Sequence, residues 1–284
     1  MVKLSRVRHA AAHGLWAFLS GWALSASAQV EPAADTAHFL VELITVEDGL
    51  PQGMVQCVLQ DRTGYMWFGT RGGLARSDGY RYTIYQHDDK DSTSIGSNIV
   101  SELLEDRDGL LWLGFENGAL DRFDPRTGAF THVAPDHGPG DIWPAISALL
   151  EDRKGNIWFF AMSGGLHVVR PSAVGTPPVA EDPHHAFPDI QWPERILAFT
   201  MAGNGELWVA FGDSLMVLDP RSQHCLARVR ASYITEQQHL LGPLHWMTPD
   251  GDGTGVWLIR DGELYHFARK DSVLDGATVA YGRK

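Results

Sequence analysis

Three segments of the 284-residue chain repeat one another: VLQDRTGYMWFGT, LLEDRDGLLWLGF and LLEDRKGNIWFFA. Their common core, D-x-x-G-x-x-W, falls at Asp61/Gly64/Trp67, Asp106/Gly109/Trp112 and Asp152/Gly155/Trp158, with the tryptophans 45 and 46 residues apart. A shuffled chain of this composition would hold about 0.09 such matches, so the series is a true repeat. Two degenerate copies extend it. FTMAGNGELWVAF keeps Gly205 and Trp208 but has Ala202 where the aspartate belongs, and GDGTGVWLI carries Trp257 with Gly253 and Gly255 out of register. Their spacings are 50 and 49 residues. A period of about 40–50 residues demands a stack of like units, each too small to bury its own apolar face.

Local chemistry selects strands over helices. In the second copy IVSELLED is an apolar-rich run ending at a turn, LLWLGF is a short continuous apolar run, and Asn117-Gly118 is a hairpin signal. ALDRFD then alternates with period two, PRTG is another turn and AFTHV supplies a fourth strand. The glycines leave no stretch long enough for a helix with i, i+3, i+4 spacing. Four strands per unit describe the antiparallel blade of a β-propeller, so the chain is expected to be all-β with about five recognisable blades.

The repeated residues read as structural. The aspartate can accept from the backbone two residues on, and the glycine supplies the positive φ of the turn. Each tryptophan, burying roughly 150–250 Å², would stabilise its blade junction by at most about 4–6 kcal/mol. The alternative, a carbohydrate-stacking tryptophan, would not need to recur at the same point of every unit.

At these residues the chain resembles the two-component regulator propeller repeat, found in periplasmic sensor regions of hybrid histidine kinases and some diguanylate cyclases. ITVEDGLPQGMVQCVLQDRTGYMWFGTRGGLARSDGYRYTIY, residues 44–85, is similar to the family's first blade, with its E-D-G-L-P opening and D-x-x-G-x-x-W-F-G-T-x-x-G-L core. The likeness is strong from Phe39 to Arg170 and weak from Trp192 to Phe267. It implies a signalling role, and a seven-bladed parent of which five blades are an incomplete set; a closed five-bladed ring is the alternative. The output chemistry does not carry over, because the chain has no phospho-acceptor histidine region, no P-loop and no G-G-D-E-F-like signature.

Residues 1–28 read as a signal peptide: Lys3, Arg6 and Arg8, an apolar run from Leu15 to Leu24, then Ala26-Ser27-Ala28. Cleavage after Ala28 takes the charge from −12 to −15, which argues against a surface built to neutralise phosphates, so no nucleic-acid partner is expected. Residues 29–38 are expected to be a linker, and 39–284 the propeller. No later apolar run approaches 18 residues, so no transmembrane segment is expected after cleavage and the product should be periplasmic. Cys57 and Cys225 are expected to be two separately buried thiols. The chain after Ala28 has no H-x-x-x-H and no C-x-x-C, so neither metal nor cofactor is expected. The Pro-rich stretch 171–193, with His184 and His185, reads as a flap or as disorder.

Loops on a rigid scaffold carry function. Candidate ligand-binding residues are therefore Arg71, Glu116, Asn117 and Asp213 from hairpins, and Asn98 and Trp143 from connections between blades. Arg71 suits a carboxylate or sulfate, and Trp143 offers a face to a sugar ring. Each also has a structural reading, Arg71 as a solvated loop charge, Trp143 as a cap over its blade and Asn117 as a hairpin residue. Ser163, in MSGG, reads as a hairpin serine. The expected function is a non-enzymatic sensing module that meets an exported glycan, another small periplasmic ligand, or a further propeller or sensor kinase or cyclase chain. The alternatives are a stand-alone propeller enzyme (a lyase, hydrolase or quinone-dependent dehydrogenase) and a pure interaction scaffold.

Overall fold

A computed structural model describes residues 43–135, 145–161, 165–171, 176–182, 187–190, 192, 196, 198–211, 214–230, 246–260, 263–270 and 273–279. The expected signal peptide, its cleavage site and the linker lie outside them. Every strand falls in the unit that begins at Ile44. The first blade is β1 (Val55–Gln60), β2 (Met66–Thr70), β3 (Gly73–Ser77) and β4 (Tyr82–Tyr85). The second is β5 (Val100–Glu105), β6 (Leu111–Phe115), β7 (Leu120–Asp124) and β8 (Ala129–His132). The third comprises β9 (Ala134–Pro135), β10 (Ile146–Glu151), β11 (Ile157–Ala161), β12 (Gly165–Val169) and β13 (Val179–Glu181). The fourth is β14 (Ala198–Met201), β15 (Leu207–Phe211), β16 (Ser214–Asp219) and β17 (His224–Arg230). The fifth is β18 (Trp246–Pro249), β19 (Gly255–Arg260), β20 (Glu263–Lys270) and β21 (Val273–Val279). Each is built as an antiparallel meander, so among the described residues the chain forms the five all-β propeller blades the repeat predicts. The third departs from four strands, because β9 adds to the edge of β13 in parallel.

The repeat motif holds each of the first three blades together at one end. In the first blade Asp61 Oδ1 accepts from the Thr63 and Tyr65 amides at 2.9 and 3.0 Å, and Oδ2 accepts from Trp67 Nε1 at 2.8 Å. Asp106 does the same for Asp108, Leu110 and Trp112, and Asp152 for Lys154, Asn156 and Trp158. Gly64, Gly109 and Gly155 have φ of +96°, +80° and +83°, which only glycine adopts freely. Trp67, Trp112, Trp158 and Trp208 are all buried, leaving no indole face for a sugar.

The degenerate copies have a physical reading. Where Ala202 replaces the aspartate, the backbone turn survives (Ala202 N to Glu206 O, 2.9 Å; Gly205 N to Ala202 O, 2.8 Å), but the buried Trp208 Nε1 has no acceptor. Ala202→Asp is therefore expected to stabilise the chain by about 1–2 kcal/mol, raising the melting temperature by a few degrees in a calorimetric scan. In the fifth blade one extra residue lies between Asp250 and the tryptophan, and Gly253 takes the positive-φ place. Asp250 Oδ2 there meets His266 Nε2 at 3.0 Å, and His266 packs against Trp257 with ring centroids 4.4 Å apart.

Successive blades are locked by a ladder of arginines that follow the repeat aspartates. Arg62 Nε meets Glu105 at 2.8 Å, and its Nη1 and Nη2 donate to the Arg107 and Asp106 carbonyls. Arg107 repeats this on Glu151, Arg153 and Asp152, and Arg153 reaches the Gly203 carbonyl. Between the blades lie apolar layers. Trp67, Leu74 and Tyr85 of the first meet Leu113, Phe115 and Phe123 of the second, with Tyr85 and Phe123 centroids 5.2 Å apart.

Three expectations need correction. The Asn117-Gly118 turn is not a two-residue one, since Gly118 N bonds Phe115 O, Phe115 N bonds Ala119 O and Gly118 alone has positive φ (+81°). Its central pair is Glu116-Asn117, with the glycine following as a bulge. Cys57 is half-buried, with burial pushing its thiol up to about 12, but Cys225 is exposed, on the outermost strand of its blade; both are free. The stretch 171–193 contains ordered, partly packed structure: Val179–Glu181 form β13 with Ala180 buried, and Phe187 is fully buried against Trp158. The aromatic residues outweigh the Pro-rich composition there. His184 and His185 lie outside the described residues.

Candidate functional site

The strand direction assigns the two ends of each blade different work. β1 starts opposite Thr70 and finishes opposite Met66, so the D-x-x-G turns lie at one end, and the β2–β3 and β6–β7 hairpins and the connections between blades lie at the other. At the turn end the repeat aspartates and arginines are engaged in contacts within and between blades. The sequence-predicted candidates Arg71 and Glu116 lie at the hairpin end.

There the structure brings Arg71 and Glu116 together across two blades. Arg71 Nη2 lies 2.6 Å from Glu116 Oε2, and Gln56 Nε2 donates to Glu116 Oε1 at 2.5 Å. The Arg71 side chain is 42% exposed and that of Glu116 30%. The pair is thus an open cation with one carboxylate already in place. The Glu116 amide donates to the Ile99 carbonyl at 3.1 Å, which fixes the hairpin against the start of β5. Gln56 was not read from the sequence; its place at the rim follows from the β1–β2 register, which the D-x-x-G-x-x-W spacing sets.

The other candidates are placed differently. Asn117 Oδ1 accepts from the Ala119 amide at 3.1 Å, an intra-hairpin bond. Asn98 Oδ1 accepts from the His87 amide at 2.8 Å and closes the base of the 87–98 connection. Neither is brought to the Arg71–Glu116 pair. Trp143, Ser163 and Asp213 lie outside the described residues.

A second cluster on this end escaped the sequence reading. Asp121, fully buried on β7, is the cross-strand partner of His132 on β8, and its Oδ1 lies 2.7 Å from His132 Nδ1. The hydrogen bond to that carboxylate raises the His132 pKa to about 9. The signal was present, since pairing Asp124 with Ala129 across the PRTG turn puts residue 121 opposite residue 132. On the inner strand β5, burial raises the Glu102 carboxyl to about 7, and its neighbour Cys57 is held as the thiol. Among the described residues no group of three or more His, Cys, Asp or Glu is placed to hold a metal ion.

Residues 49–72, from the opening turn through β2 to the first hairpin, match the family model described as two component regulator propeller. Over 62 residues the chain is 42% identical to histidine kinase P4 of Formosa agariphila, a stretch that is 22% of this chain and 4% of that protein. A solved extracellular domain of B. thetaiotaomicron, described as hybrid two component system BT4673, superposes with a TM-score of 0.60 at 20% identity, covering 81% of this chain and 31% of that one. The extracellular domain of BT3049 from the same organism gives 0.57 at 16%, covering 84% and 35%. The structures share the fold, and this chain spans about a third of their length. Among the described residues no helix is long and apolar enough to cross a membrane.

Proposed function

We propose that this chain, whose first blade is a two-component regulator propeller repeat, is the periplasmic sensing propeller of a two-component or cyclic-di-GMP signalling system. Its hairpin end receives the signal, an exported glycan or other small ligand bearing a carboxylate or sulfate, or a further propeller or sensor chain. The supporting observation is the match over residues 49–72, on the blade and hairpin that also supply Arg71. The physical support is the division of labour between the two ends. The repeated polar groups are spent on blade cohesion, while Arg71 stands partly exposed and shared with a single carboxylate. A planar guanidinium can receive an incoming anion on its free edge in a bidentate pair. Glu116 competes for the same cation.

Thermal-shift titration of the processed chain against carboxylated and sulfated oligosaccharides tests this. Ligand at about 100 times its Kd adds about 2.7 kcal/mol, roughly 5–10 °C in a chain of this size. Arg71→Ala is expected to abolish the shift, and Glu116→Gln to tighten binding about tenfold by removing the competing carboxylate. A melting temperature unmoved by every anionic glycan, or an equal shift in Arg71→Ala, contradicts the reading.

A further inference from the structure

The connection between the first and second blades, residues 87–98, forms a strap over the outer half of the second blade. Beneath it lies a cavity of about 310 Å³, already open to solvent, whose titratable lining is His87, Asp88, Asp89, Asp91, Asp121 and His132. Two imidazoles brace the strap: His132 reaches its middle from β8, and His87 ties its first residue to its own later turn. His132 Nδ1 faces Asp121 Oδ1 at 2.7 Å while Nε2 faces the Ser92 carbonyl of the strap at 3.0 Å. His87 Nδ1 faces the Ile95 carbonyl at 2.6 Å while Nε2 faces Asp89 Oδ1 at 3.1 Å. Asp121 Oδ2 accepts from the Gly96 amide at 2.7 Å, so the same carboxylate holds both the strap and the ring that braces it.

A neutral imidazole has one N–H and one lone pair. Here each ring places both nitrogens against oxygens that accept, so both contacts of each ring are satisfied only in the imidazolium form. We propose that residues 87–98 are a proton-operated clamp: protonated His132 holds the strap on the second blade, protonated His87 holds the strap's own fold, and loss of those protons loosens the strap and widens the open cavity beneath it.

The surrounding charges agree. The groups facing the rings are Asp88, Asp89 and Asp91 from the strap and Asp121 from β7, and the strap's basic residue is Lys90. The hydrogen bond to Asp121 lifts His132 to about 9, and the Ile95 carbonyl raises His87. A raised folded-state value means that the tie is fully present below the unfolded histidine value of about 6.5 and is lost as the pH climbs through about 9. An exported chain meets the pH of its surroundings, so such a clamp would make access to this end of the propeller depend on the medium.

Hydrogen–deuterium exchange of residues 87–98 at pH 6 and pH 9.5, corrected for intrinsic rates and referenced to β16, tests the clamp. Protection of the strap, with the Gly96 amide as its reporter, is expected to fall tenfold or more at the higher pH while β16 holds. In the double variant His87→Gln/His132→Gln the strap is expected to be poorly protected at both values. Equal protection at both pH values in the unaltered chain, a parallel loss in β16, or a step of undiminished size in the double variant overturns the proposal. NMR titration of the unaltered chain gives a readout independent of the variant's folding. A His132 ring midpoint near 9, coincident with the exchange step, supports the clamp; a midpoint near 6.5 overturns it.

Discussion

Asp152→Ala is expected to lower the stability of the chain by about 3–5 kcal/mol, read as a shift of the denaturant midpoint with an unchanged slope. Asp152 is buried and accepts four hydrogen bonds, from the Lys154 and Asn156 amides, Asn156 Nδ2 and Trp158 Nε1, at 2.7–3.0 Å. Truncation leaves those donors without their acceptor in a site too enclosed for them all to find water, and an orphaned buried donor costs about 1–3 kcal/mol. The fourth blade shows that one such loss is tolerated, since Trp208 Nε1 is already unpaired. A second, in the neighbouring blade, would leave two adjacent indoles unanchored. The effect should exceed that of removing an exposed ion-pair partner such as Arg126, whose pair with Asp124 lies within one surface turn.

Gly114→Val is expected to cost about 2–3 kcal/mol by forcing the second and third blades apart. A β-carbon at Gly114 would lie 2.6 Å from Ile146 Cγ2 and 2.9 Å from Ile146 Cβ, on the inner strand of the next blade. The same holds at Gly69, where Cys57 Sγ and Val100 Cγ1 stand at 2.3 and 2.9 Å. The first two junctions thus rest on a glycine that lets the next inner strand approach. The third junction uses Phe160 at this place, packed edge-on against Phe199, so it has a different spacing device. Gly251→Ala is the matched control: nothing lies within 4 Å of the added carbon, and stability should change by less than about 0.5 kcal/mol. Chemical denaturation of the two variants side by side gives the comparison.

The blades were legible because their signal is periodic and local. D-x-x-G-x-x-W fixes a turn, a glycine φ and a buried indole in seven residues, and the strands of the second copy fall where period-two alternation and turn residues put them. The arginine ladder was in plain view in the same segments, since Arg62, Arg107 and Arg153 each follow the repeat aspartate. Its meaning depends on how neighbouring units stack, which one unit's sequence does not state. The candidate site was half legible for the same reason. Loop position singled out Arg71 and Glu116 separately, but their pairing is a contact between residues 45 positions apart on different blades. Asn98 and Asn117, chosen by the same rule, turned out to satisfy local backbone amides, a common role for asparagine in turns. The Asp121–His132 pair was hidden by its setting, because a carboxylate inside an alternating strand passes for a solvent-facing residue unless the hairpin register is worked through.

The account rests on the aspartate–indole bond that closes each of the first three blades, and the indole N–H groups report on it directly. In a proton–nitrogen correlation spectrum with hydrogen exchange, Trp67, Trp112 and Trp158 should give slowly exchanging indole signals. Each should lose its protection when its own aspartate, Asp61, Asp106 or Asp152, is replaced by alanine, and Trp208 should gain a hydrogen-bonded shift in Ala202→Asp. Indoles that exchange at the free rate, or that ignore the replacement of their aspartates, would contradict the blade construction on which the assignment of the opposite end to recognition depends.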